Sequence, residues 1–506
     1  MSKFSDDIEK DVLSPNLSDE DLRQTEVHDL NWLDRLFQEK LNAEVRGIEH
    51  IPEEERHDVS YLNAGSMWLG ANLVVATFSL GTLGITTFGC SFWDSVLTII
   101  FFNILGALPV AYYSTFGPKL GLRQMVMSRF WFGYQGIRVV AFLNCIACIG
   151  WTAVNTMVSA QILHTVNNGS LPPWGGVLVI TLASLLVAVF GYKIVHAFEK
   201  FAWIPNFIIF IIIAVRMSKT HSFDAGTLGS GPNEAAAVLS FGGTIFGYAT
   251  GWSSYAADYT CYMPKSTSRI KVFFLILFGL SFPLLFAMIL GAACATGINT
   301  NPRFASNYND NQIGGLLYAI MVENSLHGFG QFCQVILALS TISNNIPNLY
   351  SLGLSAQTVW SGFRKVPRIA WSILGCGVSV ALAIPAYYHF ADVMSDFMDL
   401  IGYWLAFYSA ICLSEHLIYR KSINNYDPLE YENKKTLPIG IAAIFAMCCG
   451  VAGAVVGMSQ VWYVGPIAIK IGDTGFGGDI GFELAFAFAF IGFNSTRWLE
   501  LKYFGR

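Results

Sequence analysis

Gly65-Ser-Met-Trp-Leu-Gly-Ala-Asn-Leu-Val-Val-Ala-Thr-Phe-Ser-Leu-Gly-Thr-Leu-Gly84 has the length and apolarity of a membrane span, but it is a poor continuous helix. Crossing ~30 Å of hydrocarbon takes about 20 helical residues. This stretch has glycines at 65, 70, 81 and 84, with Asn72, Thr77 and Ser79 between them. Small residues in a span either let helices approach closely or mark a break whose freed backbone lines a cavity. A second such stretch is Phe241-Gly-Gly-Thr-Ile-Phe-Gly-Tyr-Ala-Thr-Gly-Trp-Ser-Ser-Tyr-Ala-Ala-Asp258. A third, Ser340-Thr-Ile-Ser-Asn-Asn-Ile-Pro-Asn-Leu-Tyr350, contains Pro347, which is expected to disturb the helical ladder. The first two lie five spans apart, the spacing that an inverted five-plus-five repeat of a transporter predicts.

Working outward, the whole chain is a membrane sequence. Hydrophobic residues make up 54% of its 506 residues and charged residues 13%, against about 25% charged in soluble domains. The mean hydropathy of +0.48 implies that lipid, not water, covers much of the surface. A net charge of -5 gives no basic excess for nucleic acid. Twelve apolar runs can span: about 66–88, 95–116, 137–166, 174–191, 200–217, 235–259, 271–296, 327–350, 368–388, 393–418, 437–458 and 479–498, numbered here spans 1 to 12. The alternating ten-residue segments of a β-barrel are not visible. The ten cysteines are read as packing residues, with most of them inside apolar runs.

Residues 1–60 differ from the rest, being acidic and poor in apolar residues. They are expected to form a largely disordered cytosolic tail, with a short amphipathic helix at Asn31-Trp-Leu-Asp-Arg-Leu-Phe37. Fifteen Lys and Arg fall in the loops that follow even-numbered spans, and four in the opposite loops. The positive-inside rule therefore puts both termini in the cytosol. The remaining divisions are 61–220 for spans 1–5, 221–420 for spans 6–10, and 421–506 for spans 11 and 12.

Several residues suit a flat, neutral, polar-edged solute. Trp151 and Asn155 share a face of span 3, Trp252 and Tyr255 lie together on span 6, and Asn344 and Asn348 flank Pro347 on span 8. Aromatic faces stack on heterocycles, worth ~1–3 kcal/mol per base. A carboxamide offers one acceptor and two donors to a complementary edge. Ionisable residues within spans are few: Glu199, Asp258, Asp396, Asp399 and Glu415. Such residues are usually functional, although Glu199 beside Lys200 also fits an interfacial pair and Asp258 a cap on the basic loop. No Arg or Lys sits at the centre of a broken span, which argues against an obligate anion as substrate.

Five motifs in order resemble the nucleobase–cation symporter family one, and within it the fungal purine–cytosine permease branch. They are Asn63-Ala-Gly-Ser-Met-Trp-Leu-Gly-Ala-Asn72, Trp151-Thr-Ala-Val-Asn155, His196-Ala-Phe-Glu-Lys-Phe-Ala-Trp-Ile-Pro205, Gly251-Trp-Ser-Ser-Tyr-Ala-Ala-Asp-Tyr259 and Ile346-Pro-Asn348. The resemblance covers about residues 30–505. It implies an all-α polytopic fold of twelve transmembrane helices: a leucine-transporter-like five-plus-five inverted repeat with helices 1 and 6 broken, plus two peripheral helices. It also implies proton-coupled import of adenine, guanine, hypoxanthine and cytosine at the plasma membrane by alternating access. Trp151, Asn155, Trp252 and Asn348 would enclose the base, helped by a span 1 hydroxyl, either Thr77 or Ser79. Glu199 and Asp258 would couple or gate. Sodium-coupled members hold their ion with span 1 carbonyls and span 8 hydroxyls, which Ser340, Thr341 and Ser343 could supply, so sodium stays open beside the proton. The branch also includes pyridoxine carriers.

A membrane-embedded transferase would need a nucleophile, base or metal set, and neither HExxH nor GxSxG occurs; no catalytic or metal-ligating residue and no cofactor is assigned. A channel would need a filter-like loop, and none appears. The expected partners are a small nucleobase and membrane lipid. Lys3 and Lys10 in the tail suit ubiquitin-dependent trafficking.

Overall fold

The computed structural model describes residues 47–506, except 190, 191 and 474 and the side chains of 63 and 189–200. The tail with Lys3, Lys10 and the segment 31–37 lies outside the described residues. Helices occupy every expected span. In order they are Tyr61–Asn72 with Val75–Thr86, Phe92–Ser114, Arg129–Val166, Pro173–Val189, Tyr192–Thr220, Pro232–Thr250 with Gly251–Tyr259, Arg269–Thr300, Gly328–Val359, Arg368–Ala386, Phe390–Ser414, Ile441–Gly457 and Gly481–Phe504. Five described helical stretches are long and apolar enough to cross a membrane alone, and the bent pair of span 1 makes a sixth. The fold is an all-α polytopic membrane architecture. Large apolar side chains such as Phe101, Phe274, Phe278 and Ile491 point outward, as lipid-facing groups should.

Span 1 breaks at Leu73 and Val74 and bends by 56°. Span 6 changes at Gly251 from an α-helix to a tighter 3₁₀ run ending at Tyr259, with Tyr255 at a non-helical φ of -142°. The expected break in span 8 is absent, because the helix runs unbroken from Gly328 to Val359 through Pro347. Proline removes one donor there, but the buried flanks of the helix pack on both sides and hold its course.

An additional helix, Pro302–Met321, lies between spans 7 and 8. Asn301 caps it by accepting the Arg303 N–H at 3.1 Å, and it is kinked at Asn311 and Gln312. Residues 47–60 also pack: Ile48 and Ile51 are buried, and Arg56 donates to the Ile51 and Pro118 carbonyls at 2.8 and 3.0 Å. Residues 47–60 therefore pack with the helical body.

The loops after spans 2, 6, 8 and 10 meet at one end. Lys119 donates to the Lys265 carbonyl, and Arg129 and Arg364 both bond to Glu432. Burial raises the Glu432 carboxyl, but hydrogen bonding and charge from Arg364 and Arg129 outweigh it and hold the group below its ordinary range. Glu415, at the exit of span 10, is gripped by Arg497 at 2.8 and 2.9 Å and serves to tie spans 10 and 12 together.

Glycines set the closest helix contacts. A Cβ on Gly81 would stand 1.9 Å from the Met288 carbonyl oxygen, and one on Gly291 would stand 2.0 Å from that of Phe78. The second half of span 1 and span 7 thus touch backbone to backbone. Gly291→Leu should lower the thermal melting point of the purified protein, with overpacking costing about 1–3 kcal/mol. Gly377→Leu, where nothing lies within 4 Å, should melt as the unaltered protein does.

Candidate substrate site

The break in span 1 leaves backbone carbonyls without helical partners, and side chains from three spans take them. Asn344 of span 8 donates to Ala71 at 2.7 Å, Thr77 to Asn72 at 2.6 Å, and Asn206 of span 5 to Leu73 at 3.1 Å. The freed Val75 N–H donates to Ser340 at 3.1 Å. This network fixes the wall against which the aromatic residues sit.

Trp151 and Trp252 face each other with ring centroids 6.3 Å apart and planes 20° from parallel. Tyr248 and Phe397 close on Trp151 edge-on at 5.0 and 5.7 Å, and Trp68 on Trp252 at 5.2 Å. Gly251 makes room for this, since a Cβ there would lie 2.7 Å from Trp151 Cζ2. The Trp252 indole N–H donates to Asn72 Oδ1 at 3.0 Å, which sets its ring plane.

The amides are oriented by their own bonds. Asn155 Nδ2 donates to Asn344 Oδ1 and Asn345 Oδ1, each at 2.8 Å, which leaves Asn155 Oδ1 buried without a partner. Asn348 Oδ1 accepts from the Tyr255 hydroxyl at 2.6 Å, and its Nδ2 donates to the Asn344 carbonyl at 2.9 Å. An amide nitrogen has two N–H groups, so one donor of Asn348 remains. Two near-parallel aromatic faces, a spare acceptor and a spare donor tied to the same Asn344 suit a flat heterocycle. Trp151, Asn155, Trp252, Asn348, Thr77 and Ser79 are all buried.

A family model described as permease for cytosine/purines, uracil, thiamine, allantoin matches residues 50–476. The chain belongs to this permease family. It is 50% identical over 488 residues to the purine-cytosine permease FCY2 of Saccharomyces cerevisiae, covering 96% of this chain and 91% of that one. It is 46% identical to the purine-cytosine permease fcyB of Emericella nidulans, covering 92% and 91%. Among solved structures, Mhp1, a nucleobase-cation-symport-1 family transporter in a closed conformation with bromovinylhydantoin bound, matches with a TM-score of 0.63 at 16% identity, covering 92% of this chain and 96% of that one. That match shows the fold.

In this permease the two span 1 hydroxyls separate. Thr77 holds the break and shares a 2.8 Å bond with Tyr248, whereas Ser79 bonds back to Ala76 at 2.7 Å within its own helix. The three span 8 hydroxyls serve different neighbours. Ser340 meets span 1, Thr341 bonds to Ser159 of span 3 at 2.6 Å, and Ser343 has no partner. Asp258 sits toward the basic end: Gln124 N–H donates to its Oδ1 at 2.8 Å, Ser351 to its Oδ2 at 3.0 Å, and Arg123 to its carbonyl at 2.9 Å. It joins the loop after span 2 to spans 6 and 8. Glu199 lies in Tyr192–Thr220, but its side chain is outside the described residues. Sequence reasoning missed Tyr248, Asn345 and Asn206. Tyr248, four residues before Trp252, carried the only usable signal, a shared helix face.

Thr77→Val leaves the Asn72 carbonyl and the Tyr248 hydroxyl short of a partner and should destabilise the purified protein by about 1–3 kcal/mol. Ser79→Ala should be close to neutral. Melting curves of the two variants check the distinction.

Proposed function

We propose that this permease imports purine bases (adenine, guanine, hypoxanthine) and cytosine across the plasma membrane by proton symport with alternating access, both termini lying in the cytosol. The unpartnered Asn155 Oδ1 beside two facing indoles carries the reading. Each of these bases presents an N–H next to an acceptor on one edge. Asn155 Oδ1 accepts from that N–H, and the spare Asn348 N–H donates to the neighbouring acceptor. Trp151 and Trp252 sandwich the ring. The buried, unpartnered Trp151 Nε1 lies in the plane of its own ring, so it serves the rim of the slot rather than a base stacked on that ring.

The slot must open to fill. Two stacking contacts of about 3.5 Å need about 7 Å between planes, while the indole centroids are 6.3 Å apart. The rings must therefore part to admit the base. The basic end is the cytosolic one on the positive-inside rule. The Asp258 bonds to Gln124, Arg123 and Ser351 would have to release for the base to leave there.

Coupling to a proton rather than sodium is favoured by the span 1 break. The carbonyls that would ligate sodium already accept from Asn344, Thr77 and Asn206, and Ser340 and Thr341 are taken up by Val75 and Ser159, which leaves Ser343 alone of the three span 8 hydroxyls without a partner. Glu199 remains a candidate for coupling on sequence grounds, and the tail lysines for ubiquitin-dependent removal from the surface.

Permease-deficient yeast expressing the chain should take up labelled cytosine saturably, more at acid than at neutral pH, without sodium, and adenine should compete. Trp151→Ala, losing a stacking face worth ~1–3 kcal/mol, should raise KM about 5- to 150-fold. Asn348→Ala should lose uptake while reaching the surface. Normal uptake by Asn348→Ala would remove it from the site, and displacement by pyridoxine instead of adenine would move the substrate class.

A further inference from the structure

Span 10 carries Asp392, Asp396 and Asp399 at spacings of four and three residues, which align them along one helix face. Asp392 is exposed, Asp396 half-buried and Asp399 buried, so the stripe runs from the surface inward at the end opposite the basic loops. Asp399 meets a second carboxylate that arrives from eighty residues downstream. Thr244 of span 6 donates to its Oδ1 at 2.9 Å, and Gln460 Nε2 donates to its Oδ2 at 2.9 Å. The same Nε2 lies 3.2 Å from Asp479 Oδ2. Asp479, also buried, further accepts from the Ser459 N–H at 2.6 Å, the Gly481 N–H at 2.8 Å and the Tyr403 hydroxyl.

The groups facing this pair are acidic or neutral. Asp396 and Tyr403 come from span 10 itself, Thr244 from span 6, Gln460 and Ser459 from the segment before span 12, and Glu483 from span 12 with a buried, unpartnered Oε2. Among the described residues no Lys, Arg or His forms an ion pair with any of these acids. Buried carboxylates so close together are not both left ionised without a neutralising cation. Amide and hydroxyl donors fill the space between the carboxyls, so the cation that fits is a proton. Gln460 Oε1 is also buried and has no donor, so the amide that bridges the two carboxyls is itself incompletely satisfied. Asp479 has the fuller set of donors, including two backbone N–H groups, and keeps the charge.

We propose that Asp399 is a proton-binding site, filled along Asp392 and Asp396 and backed by Asp479, whose occupancy is passed to the substrate slot. One turn of span 6 separates Thr244 from Tyr248, which packs on Trp151 at 5.0 Å and bonds to Thr77 at 2.8 Å. Phe397, two residues before Asp399, packs on another edge of Trp151 at 5.7 Å. Protonating Asp399 weakens its bonds from Thr244 and Gln460 beside that contact, and loosens span 6 against span 10 where the slot must part. The coupling rests on the permease reading; the proton site does not.

Infrared spectra of the purified full chain in lipid nanodiscs separate the two. At neutral pH the unaltered protein should show a protonated-carboxyl band that Asp399→Asn lacks. Thr244→Val keeps the carboxyl and removes a donor to its ionised form, so the band should persist about one unit higher in pH, a tenfold gain in proton affinity. In cells, uptake of labelled cytosine by Asp399→Asn should lose its dependence on external pH. Spectra of Asp399→Asn and Thr244→Val that match the unaltered protein overturn the proton site. Loss of the band with an unchanged pH profile of uptake overturns the coupling. Absence of cytosine uptake by the unaltered protein at the cell surface counts against the permease reading alone, and the spectra still decide the proton site.

Discussion

A backbone carbonyl buried at membrane depth must find a donor, because neither lipid nor an open helix end supplies one. Three consecutive residues of span 1, Ala71, Asn72 and Leu73, pose this demand together, and the rest of the site is arranged around the answer. Asn344 answers from span 8, Thr77 from the far side of the break and Asn206 from span 5. Once Asn344 is committed to Ala71, its oxygen orients Asn155 and its backbone carbonyl holds Asn348. Once Asn72 is committed to Trp68 and Trp252, the indole plane of Trp252 is set. The slot is thus a by-product of repairing a broken helix.

That repair also bears on which ion can be used. Neutral amide and hydroxyl donors occupy the carbonyls at the break, which is why the proposed coupling places the proton elsewhere. Span 6 links the parts. Thr244 touches Asp399, Tyr248 and Trp252 border the slot, and Asp258 binds the inner loop and span 8. Thr244, Tyr248 and Trp252 follow one another at intervals of about one turn and Asp258 lies six residues further on, with the change to 3₁₀ geometry at Gly251. In the proposed coupling, a shift at Asp399 reaches the indoles through the α-helical part of span 6, and the Asp258 contacts act on its 3₁₀ part.

The membrane class, the helical spans and the breaks in spans 1 and 6 were legible in the sequence, and the structure brings Trp151, Asn155, Trp252 and Asn348 near one another. Apolar length, small residues and aromatic or amide types at helical spacing are local properties, and lipid leaves few alternatives for them. Pro347 misled, because a missing donor threatens a helix only when its neighbours do not hold it.

The sequence by itself determined the membrane architecture and supplied the residue types from which the cargo is proposed, since both follow from hydropathy and residue type along single helices. Only the tertiary structure decided which hydroxyl holds the break, that Asn206 completes it, and that Asp399 meets Asp479 across eighty residues. Each of those depends on where separate spans come to rest against one another. Hydrogen bonds between distant residues leave no period or spacing in the chain from which they could be read.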